Sequence, residues 1–298
     1  MNIFCPLCKK KANIQHTVLT YNYYLCDYCL TLFVYPTPPL TDQNNYYKKS
    51  FNYFAGEANE NIIRIRARII INKLKTLFPK GSRLLDIGAG FGFLLDEAQK
   101  AGLNITGIEP SKNLVKKNTN KNHIVCGQFP SSKLKNQKYD FITLVHVIEH
   151  VRVPSFVIKH ALSLLNPEGI LYVETPNLDS HLYRFEKENY TFLTPPDHIW
   201  VFSQHSFIKM IPSQYQILEI TTYSYSEHFM GILKKLVKKT KNNNVVIKNG
   251  ASLKTKKKVN IVKLLKFYFF DLLIARLFYR LLNLHQYGSI LELYIKKK

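Results

Sequence analysis

A glycine-rich loop constrains the fold of this chain more than any other feature. Leu84-Leu85-Asp86-Ile87 is a short apolar run typical of a buried strand, and Gly88-Ala89-Gly90-Phe91-Gly92 separates it from an amphipathic run with helical spacing. Glycine at every second position lets the backbone approach a ligand closely, and the first turn of a helix offers free amide groups. The sequence therefore predicts a strand, a ligand-binding turn and a helix, in that order.

The stretch from Arg83 to about Glu227 alternates short apolar runs with longer amphipathic runs. Strands are predicted at 84–87, 105–108, 141–145 and 170–173, with helices at 92–101, 111–118 and 154–165. Residues 289–295 predict a last strand. Strands alternate with helices in this way when a parallel sheet carries helices on both faces. We therefore predict an α/β, Rossmann-like fold.

Glu109 indicates the kind of ligand. It ends the predicted strand that follows the loop, about 20 residues on, where a carboxylate can accept both hydroxyl groups of a ribose. The loop has the spacing Gly-x-Gly-x-Gly, whereas a pyrophosphate site requires Gly-x-Gly-x-x-Gly, and Asp86 precedes it. The Asp86 carboxylate would repel a pyrophosphate but suits a cationic cofactor that carries an amino acid.

These motifs resemble those of the class I S-adenosylmethionine (SAM) methyltransferases, in the same order, over residues 83–227. The resemblance implies a seven-stranded sheet and SAM as the cofactor. It implies that Glu109 holds the ribose and that Gln128 contacts the adenine. The residues expected to line the methionine part of SAM, or to lie beside it, are Asp86, Gly88, Ala89, Gly90, Gly92 and His146.

Two Cys-x-x-Cys pairs lie near the beginning of the chain. Cys5 and Cys8 are separated by 17 residues from Cys26 and Cys29, a spacing typical of a zinc site with four thiolate ligands. Because a complete thiolate shell leaves no position open for a substrate, we predict a structural zinc ribbon over residues 1–40.

The whole chain resembles a narrower group, the bacterial methyltransferases with an N-terminal zinc ribbon that are often associated with sugar or surface-polysaccharide biosynthesis. The matching stretches are Cys5-Pro-Leu-Cys8, 24–36, Asn45-Tyr46-Tyr47, His146-Val-Ile-Glu-His150-Val151, Glu174-Thr-Pro-Asn177 and 197–203. The composition divides the chain accordingly into a zinc ribbon at 1–40, a connecting helical segment at 41–82 and a SAM-dependent methyltransferase domain at 83–298.

A cluster of histidine and acidic residues is expected where the fourth strand ends. His146, Glu149 and His150 would share one face of a helix, and His198 could fold over the same cleft. We count all four as candidate catalytic residues, with His150 or His146 as the base that deprotonates an acceptor hydroxyl.

The cluster partly resembles the metal-binding Glu-x-x-Glu-His motif, with a later Asp-His, of enzymes that methylate the 3′-terminal ribose of small RNAs. It also resembles the motif of ubiquinone-pathway O-methyltransferases. There the metal binds substrate hydroxyls. His146 replaces the first carboxylate, which disfavours Mg²⁺. A second divalent ion such as Zn²⁺, a metal-free histidine base and a mere packing role all stay open.

The charge of the chain is concentrated at one end. Lys and Arg number 42 against 20 Asp and Glu, a net charge of +22, and residues 228–298 contain 17 Lys and Arg against Asp271 and Glu292. We predict a basic amphipathic helical insertion at 228–288, whose residues 228–285 suit an anionic membrane surface. A helix that only packs on the domain is the alternative. Nucleic acid is a less favoured partner, because basic and aromatic residues are not interleaved on strands.

The leading functional prediction is a SAM-dependent methyltransferase that methylates a hydroxyl of a sugar or glycan precursor. An amine acceptor is disfavoured, since no Asn-Pro-Pro-Tyr-like tetrapeptide follows the fourth strand. The alternatives are an RNA methyltransferase and a non-catalytic SAM-binding scaffold held at a membrane. A secretory signal and a long uninterrupted apolar run are both lacking, so we expect a cytoplasmic protein, peripheral at the inner membrane face.

Overall fold

The computed structural model describes residues 2–50, 57–118, 120, 123–224 and 286–298. The strands are β1 (Ile3–Phe4), β2 (Lys11–Val18), β3 (Tyr21–Cys26), β4 (Thr31–Val34), β5 (Arg83–Ile87), β6 (Asn104–Glu109), β7 (Ile124–Cys126), β8 (Tyr139–Val145), β9 (Leu165–Pro176), β10 (Trp200–Phe202), β11 (Tyr215–Tyr223) and β12 (Ile290–Lys297). The helices are α1 (Leu40–Ser50), α2 (Glu57–Leu77), α3 (Phe93–Lys100), α4 (Lys112–Lys117), α5 (Pro154–Ser163), α6 (His181–Glu186) and α7 (Gln204–Met210).

The main sheet has seven strands in the order β11-β12-β9-β8-β5-β6-β7. Its five strands from β9 to β7 are parallel, and β12 pairs antiparallel with β9 and with the edge strand β11. The predicted α/β, Rossmann-like fold with a seven-stranded sheet is therefore confirmed. In parallel sheets the carboxyl ends of the strands meet at one edge, where ligands bind.

The apolar runs form the middle of this sheet because both of its faces are covered. Leu84, Leu85, Phe141 and Ile142 are fully buried, and the side chains of neighbouring positions belong to two separate core clusters, one on each face. Helix α2 packs against α3 and contributes Ile70 and other apolar side chains to one cluster. Continuous apolar runs of this kind are typical of strands covered on both faces.

A second, smaller sheet contains the N-terminal strands. Its order is β1-β2-β3-β4-β10, so the last strand comes from residues 200–202, far along the chain. We call strands β1 to β4 with their cysteine turns the cysteine ribbon (residues 2–34). It completes its sheet only by pairing β4 with β10.

Most of the predicted basic insertion at 228–288 lies outside the described residues, and so does the whole of its proposed membrane-binding part, 228–285. That part of the sequence analysis stays a prediction. Among the residues that the structure describes, no helix combines the length and the apolar character needed to cross a membrane.

Candidate active site

The glycine loop joins β5 to α3 at the carboxyl edge of the main sheet. Gly88, Gly90 and Gly92 all have left-handed backbone conformations, with φ of 78°, 51° and 81°. The amide groups of Gly88 and Ala89 donate to the carbonyl oxygen of Ile108 at 2.8 and 3.1 Å. These bonds fix the loop to the end of β6.

Two of the glycines cannot carry a side chain in this loop. A Cβ on Gly88 would lie 2.4 Å from Val147 Cγ2, and one on Gly92 would lie 2.3 Å from the Asn118 side-chain amide. Asn118 also donates to the carbonyl oxygen of Gly90 at 3.2 Å. Glycine is thus required both by backbone conformation and by close packing under the loop.

Glu109 ends β6 beside the loop. Its carboxylate accepts hydrogen bonds from the amide groups of Gly90 at 3.0 Å and Ser111 at 2.8 Å. Burial raises the pKa of Glu109, and the two backbone donors partly oppose that shift. Because these contacts orient the carboxylate at the carboxyl edge, it can receive the hydroxyl groups of a ribose.

Asp86 and Gln128 lie in contrasting surroundings. Asp86 is buried, accepts a hydrogen bond from Thr143 Oγ1 at 2.7 Å, and has its pKa raised by burial to about 7. Gln128 is exposed, two residues beyond the end of β7. Thr143 therefore holds the Asp86 carboxyl inside the sheet, whereas Gln128 is open to the solvent.

His146 follows β8 directly and has a left-handed φ of 52°. Its Nδ1 lies 3.0 Å from Glu149 Oε1 and its Nε2 lies 3.3 Å from Glu174 Oε1. Burial alone would lower the pKa of His146, but the hydrogen bonds to these two carboxylates raise it to about 10. An imidazole that donates from both nitrogens has no lone pair, so His146 in this state does not fit the role of a base.

Glu149 connects the histidines to the main sheet. It is fully buried, and its Oε2 accepts a hydrogen bond from Thr175 Oγ1 at 3.1 Å. Its main-chain carbonyl accepts from the amide groups of Ile199 and Trp200 at 3.0 and 3.1 Å. One residue therefore joins the end of β8, the end of β9 and the start of β10.

His150 is paired with Asp197. Its Nδ1 lies 2.9 Å from Asp197 Oδ1 and 3.2 Å from the Asp197 carbonyl oxygen. Burial opposes protonation, yet the Asp197 charge and its hydrogen bonds raise the pKa of His150 to about 9. His150 is accordingly a cation at neutral pH.

His198 has the opposite character. Burial and the neighbouring His150 cation, whose ring centroid is 4.8 Å away, together lower its pKa to about 4. Its Nδ1 lies 2.9 Å from the carbonyl oxygen of Phe192, a group that can only accept, so the proton of the neutral ring must be on Nδ1. Nε2, which lies 3.9 Å from Asp197 Oδ2, then has the lone pair. His198 is a neutral imidazole with a defined proton-accepting nitrogen.

The same cluster has the donor set of a metal site. Glu149, His150 and His198 each offer one ligand atom, and these atoms lie within 4.8 Å of one another. Two imidazoles and one carboxylate fit a borderline ion such as Zn²⁺, which would act as a Lewis acid on a bound hydroxyl. The predicted cluster is thus brought together, and His146 joins it through Glu149 while its other ring nitrogen faces Glu174.

Comparison with known proteins identifies the fold. Residues 59–212, just over half of the chain, match the family described as "Methyltransferase domain". The chain belongs to this methyltransferase family. The matched region includes the glycine loop, Glu109 and the histidine cluster.

Curated proteins with a similar sequence align with only part of this chain. The ubiquinone biosynthesis O-methyltransferase of Coxiella burnetii (strain Dugway 5J108-111) is 31% identical over 124 residues, which are 38% of this chain and 52% of that protein. The enzyme of the same name from Actinobacillus pleuropneumoniae serotype 7 (strain AP76) is 30% identical over 125 residues, 38% of this chain and 53% of that protein. The chain spans about half the length of the curated relatives it matches.

Solved structures agree with the fold over a longer range. The plantazolicin methyltransferase BpumL, in complex with a triazolic desmethylPZN analog and SAH, aligns with a TM-score of 0.54 at 17% sequence identity. The alignment covers 87% of this chain and 93% of that one. At this identity the likeness concerns the class I methyltransferase fold alone.

Glu109 provides a test of the cofactor position in this methyltransferase. We expect Glu109→Gln to weaken SAM binding by a factor of about ten, because a neutral amide replaces a charged hydrogen-bond acceptor for the ribose. Isothermal titration calorimetry with SAM measures the loss. Glu168→Gln, at an exposed position near the start of β9, is the control. Unchanged SAM affinity in Glu109→Gln would contradict the assigned position.

The four paired cysteines form a second site, in the cysteine ribbon. Their Sγ atoms lie within 4.8 Å of one another, with Cys5 to Cys29 at 3.6 Å and Cys8 to Cys26 at 3.4 Å. A tetrahedron of Zn–S bonds of about 2.3 Å would place the sulfurs about 3.8 Å apart. Burial raises the pKa of the Cys8 thiol to about 11, a shift that a bound cation would reverse. The donor set and spacing fit structural zinc.

Cys26→Ser tests this site. We expect the wild-type chain to contain about one zinc ion and the variant to lose it, because a fully thiolate tetrahedron becomes incomplete. The unfolding temperature should fall as well, since metal binding stabilises such small ribbons. Elemental analysis and thermal unfolding measure both. The control is Cys126→Ser, at the exposed Cys126 of β7; an equal loss of zinc there would contradict the assignment.

Several residues that shape the site have no signal of their own in the sequence. Arg66 of α2 binds Glu174 at 3.2 Å, donates to Tyr172 Oη at 2.9 Å, contacts Glu292 and lies 3.8 Å over the Tyr223 ring. The sequence gives no reason to single out Arg66, because its partners are more than 100 residues away along the chain. Asp197 and Glu174 are recognisable only as members of motifs.

Proposed function

We propose that this methyltransferase transfers the methyl group of SAM to a hydroxyl oxygen, and that the acceptor is a sugar or glycan precursor. The observation that supports oxygen as the nucleophile is the state of His198. It is neutral, partly buried and has its proton on Nδ1, so Nε2 can accept the proton that a hydroxyl group loses.

When bound, SAM supplies a methyl group on a positively charged sulfur, which a nucleophile attacks in line. The glycine loop and Glu109 hold the cofactor at the carboxyl edge of the sheet. His198 Nε2 takes the acceptor proton, while His150, held by Asp197 at 2.9 Å, stays a cation and keeps His198 neutral before the reaction. Most of the rate would come from positioning the acceptor oxygen against the methyl group.

The relatives favour oxygen as the acceptor atom. Both of the curated relatives reported above have names that state O-methylation. They match 38% of this chain at 30–31% identity, so the acceptor atom comes to this chain only as a proposal. The sugar or glycan class rests on the resemblance of the whole chain to methyltransferases with an N-terminal zinc ribbon.

The test is a transfer assay with methyl-labelled SAM and the full chain. Nucleotide sugars and free monosaccharides are compared with their amino-sugar counterparts and with RNA. Label on a hydroxyl of the sugars supports the proposal, and mass spectrometry of the product locates it. Label on an amine alone, or on RNA with binding that falls steeply with salt, would overturn it.

The assay also separates a histidine base from a metal. The chain is treated with a chelator, and divalent ions are then added back one at a time. Transfer that persists after chelation supports His198 as a base acting without a metal. Transfer that returns with an ion other than Zn²⁺, which would also refill the cysteine site, assigns the cluster of Glu149, His150 and His198 to that ion.

A further inference from the structure

The main chain around His198 is held from two opposite sides. On one side the cysteine ribbon donates to it: Tyr23 Oη to the His198 carbonyl oxygen at 2.6 Å, and the Val34 amide to the Ile199 carbonyl oxygen at 3.0 Å. On the other side the amide groups of Ile199 and Trp200 donate to the Glu149 carbonyl oxygen. The ribbon therefore forms one of the two walls that set the distance between His198 and the rest of the cluster.

The pairing continues beyond His198. Strand β10 aligns with β4, with Trp200 opposite Phe33 and their ring centroids 5.7 Å apart. Trp200 Nε1 donates to the carbonyl oxygen of Val151 at 2.8 Å, next to His150. The indole thus connects the ribbon to the loop that contains His150, so both histidines are positioned by the same sheet.

The cysteine turn reaches the other end of this segment. Thr31, two residues after Cys29, donates to Ser206 Oγ at 2.9 Å, and Ser206 Oγ lies 3.2 Å from the carbonyl oxygen of Cys29. Ser206 also forms the capping box of α7 with Ser203. The segment 198–206 is therefore fixed at its start by Tyr23 and at its end by the cysteine turn.

We propose that the cysteine ribbon is a positioning element for methyl transfer, in which Tyr23 holds the main chain of His198 and the cysteine turn holds Ser206. The inference rests on the proposed function, because it assigns the ribbon to the same transfer site. The glycine loop is held instead by Ile108, Asn118 and Glu109. Loss of the ribbon contact should accordingly slow transfer and leave SAM binding unchanged.

Tyr23→Phe tests the inference, since it removes the hydroxyl group and keeps the buried ring. We expect kcat to fall about tenfold, the effect of one lost hydrogen bond to a positioned group. The dissociation constant for SAM should not change. The matched control is Tyr28→Phe, in the same ribbon but half-exposed, which should retain full kcat.

A second readout separates positioning from simple loss of stability. Partial unfolding lowers the rate by the same factor at every pH, whereas a displaced His198 changes the pH at which the rate declines. Spectra of the chain labelled with ¹⁵N-histidine should also show shifted His198 ring signals in Tyr23→Phe, assigned with His198→Gln. Unchanged kcat and pH profile, or unchanged His198 signals, would overturn the inference.

The two proposals fail in different ways. If the wild-type chain transfers no methyl group to hydroxyl acceptors but Tyr23→Phe still shifts the His198 signals, the proposed function is wrong and the positioning contact is supported. If the wild-type chain methylates a hydroxyl while Tyr23→Phe is as fast as Tyr28→Phe, the ribbon inference is wrong and the proposed function stands.

Discussion

Replacing His198 with glutamine is expected to lower kcat by a factor of about 10², the lower end of the usual contribution of general base catalysis, because a lowered pKa makes its imidazole a weak base. The dissociation constant for SAM should stay nearly unchanged. The cofactor is expected to bind at the glycine loop, which follows β5, and at Glu109, which ends β6. Glutamine is close in size to the imidazole and can still donate to the carbonyl oxygen of Phe192. It offers no basic nitrogen where Nε2 stands, so proton acceptance is the function that is lost.

The pH dependence of the wild-type rate follows from the same residue. Burial and the His150 cation lower the pKa of His198 to about 4, so the base form is present at neutral pH and is lost as the pH falls through about 4. The acidic decline of kcat should therefore lie below the ordinary histidine pKa of about 6.5. His150→Gln removes the neighbouring charge, which should raise the pKa of His198 and move the decline toward neutral pH.

His160→Gln is the matched control for His198→Gln. His160 Nδ1 lies 3.0 Å from the carbonyl oxygen of Phe156, the same kind of contact as in His198, but it is on the exposed side of α5. Steady-state kinetics and calorimetry should show no change in this control. If His198→Gln lost SAM affinity as strongly as kcat, the residue would be part of the cofactor site and the base assignment would be wrong.

Replacing Gly88 with alanine is expected to abolish measurable SAM binding and to destabilise the fold. The φ of 78° costs about 1–2 kcal/mol for a residue with a Cβ. The new methyl group would lie 2.4 Å from Val147 Cγ2, and such overpacking costs another ~1–3 kcal/mol. The loop can relieve the clash only by moving, which displaces Gly90 and the Glu109 carboxylate that its amide group orients. Thermal unfolding and calorimetry with SAM measure the two effects.

The chain contains a control that separates these two causes. Gly102 has a φ of 82°, but a Cβ there would have no atom within 4 Å. Gly102→Ala should therefore lower the free energy of unfolding only by the cost of backbone strain. Its SAM affinity should not change. Gly88→Ala combined with Val147→Ala should recover part of the binding. Equal SAM affinity in the Gly88→Ala and Gly102→Ala variants would show that the close packing under the loop does not matter.

Local patterns were sufficient to predict the fold. The strands at 84–87, 105–108, 141–145 and 170–173 and the helices between them all exist, with ends that differ by a few residues. An apolar run of strand length and an amphipathic run of helix length are properties of adjacent residues, so they can be recognised without knowing what packs on them. The glycine loop was predictable for the same reason. That the four cysteines come together in space likewise follows from their spacing in the sequence.

The roles within the histidine cluster were not predictable from the sequence. His146, His150 and His198 are the same residue type in the sequence, but their pKa values depend on groups from other parts of the chain. Glu174 contacts the second ring nitrogen of His146 and helps to keep that imidazole a cation. Asp197 contacts Nδ1 of His150 and likewise favours the cation there. His198 stays neutral because it is buried and lies beside a positive charge, and the Phe192 carbonyl oxygen fixes its proton on Nδ1.

The sequence by itself determined that this chain folds as an α/β methyltransferase with a glycine loop and four clustered cysteines. The tertiary structure alone decided that the cysteine ribbon closes its sheet with β10, that Tyr23 holds His198 across 175 residues of chain, and which histidine keeps a lone pair. The physical reason is range. Secondary structure follows from neighbouring residues, whereas a hydrogen bond or a pKa depends on whichever groups the completed fold brings together.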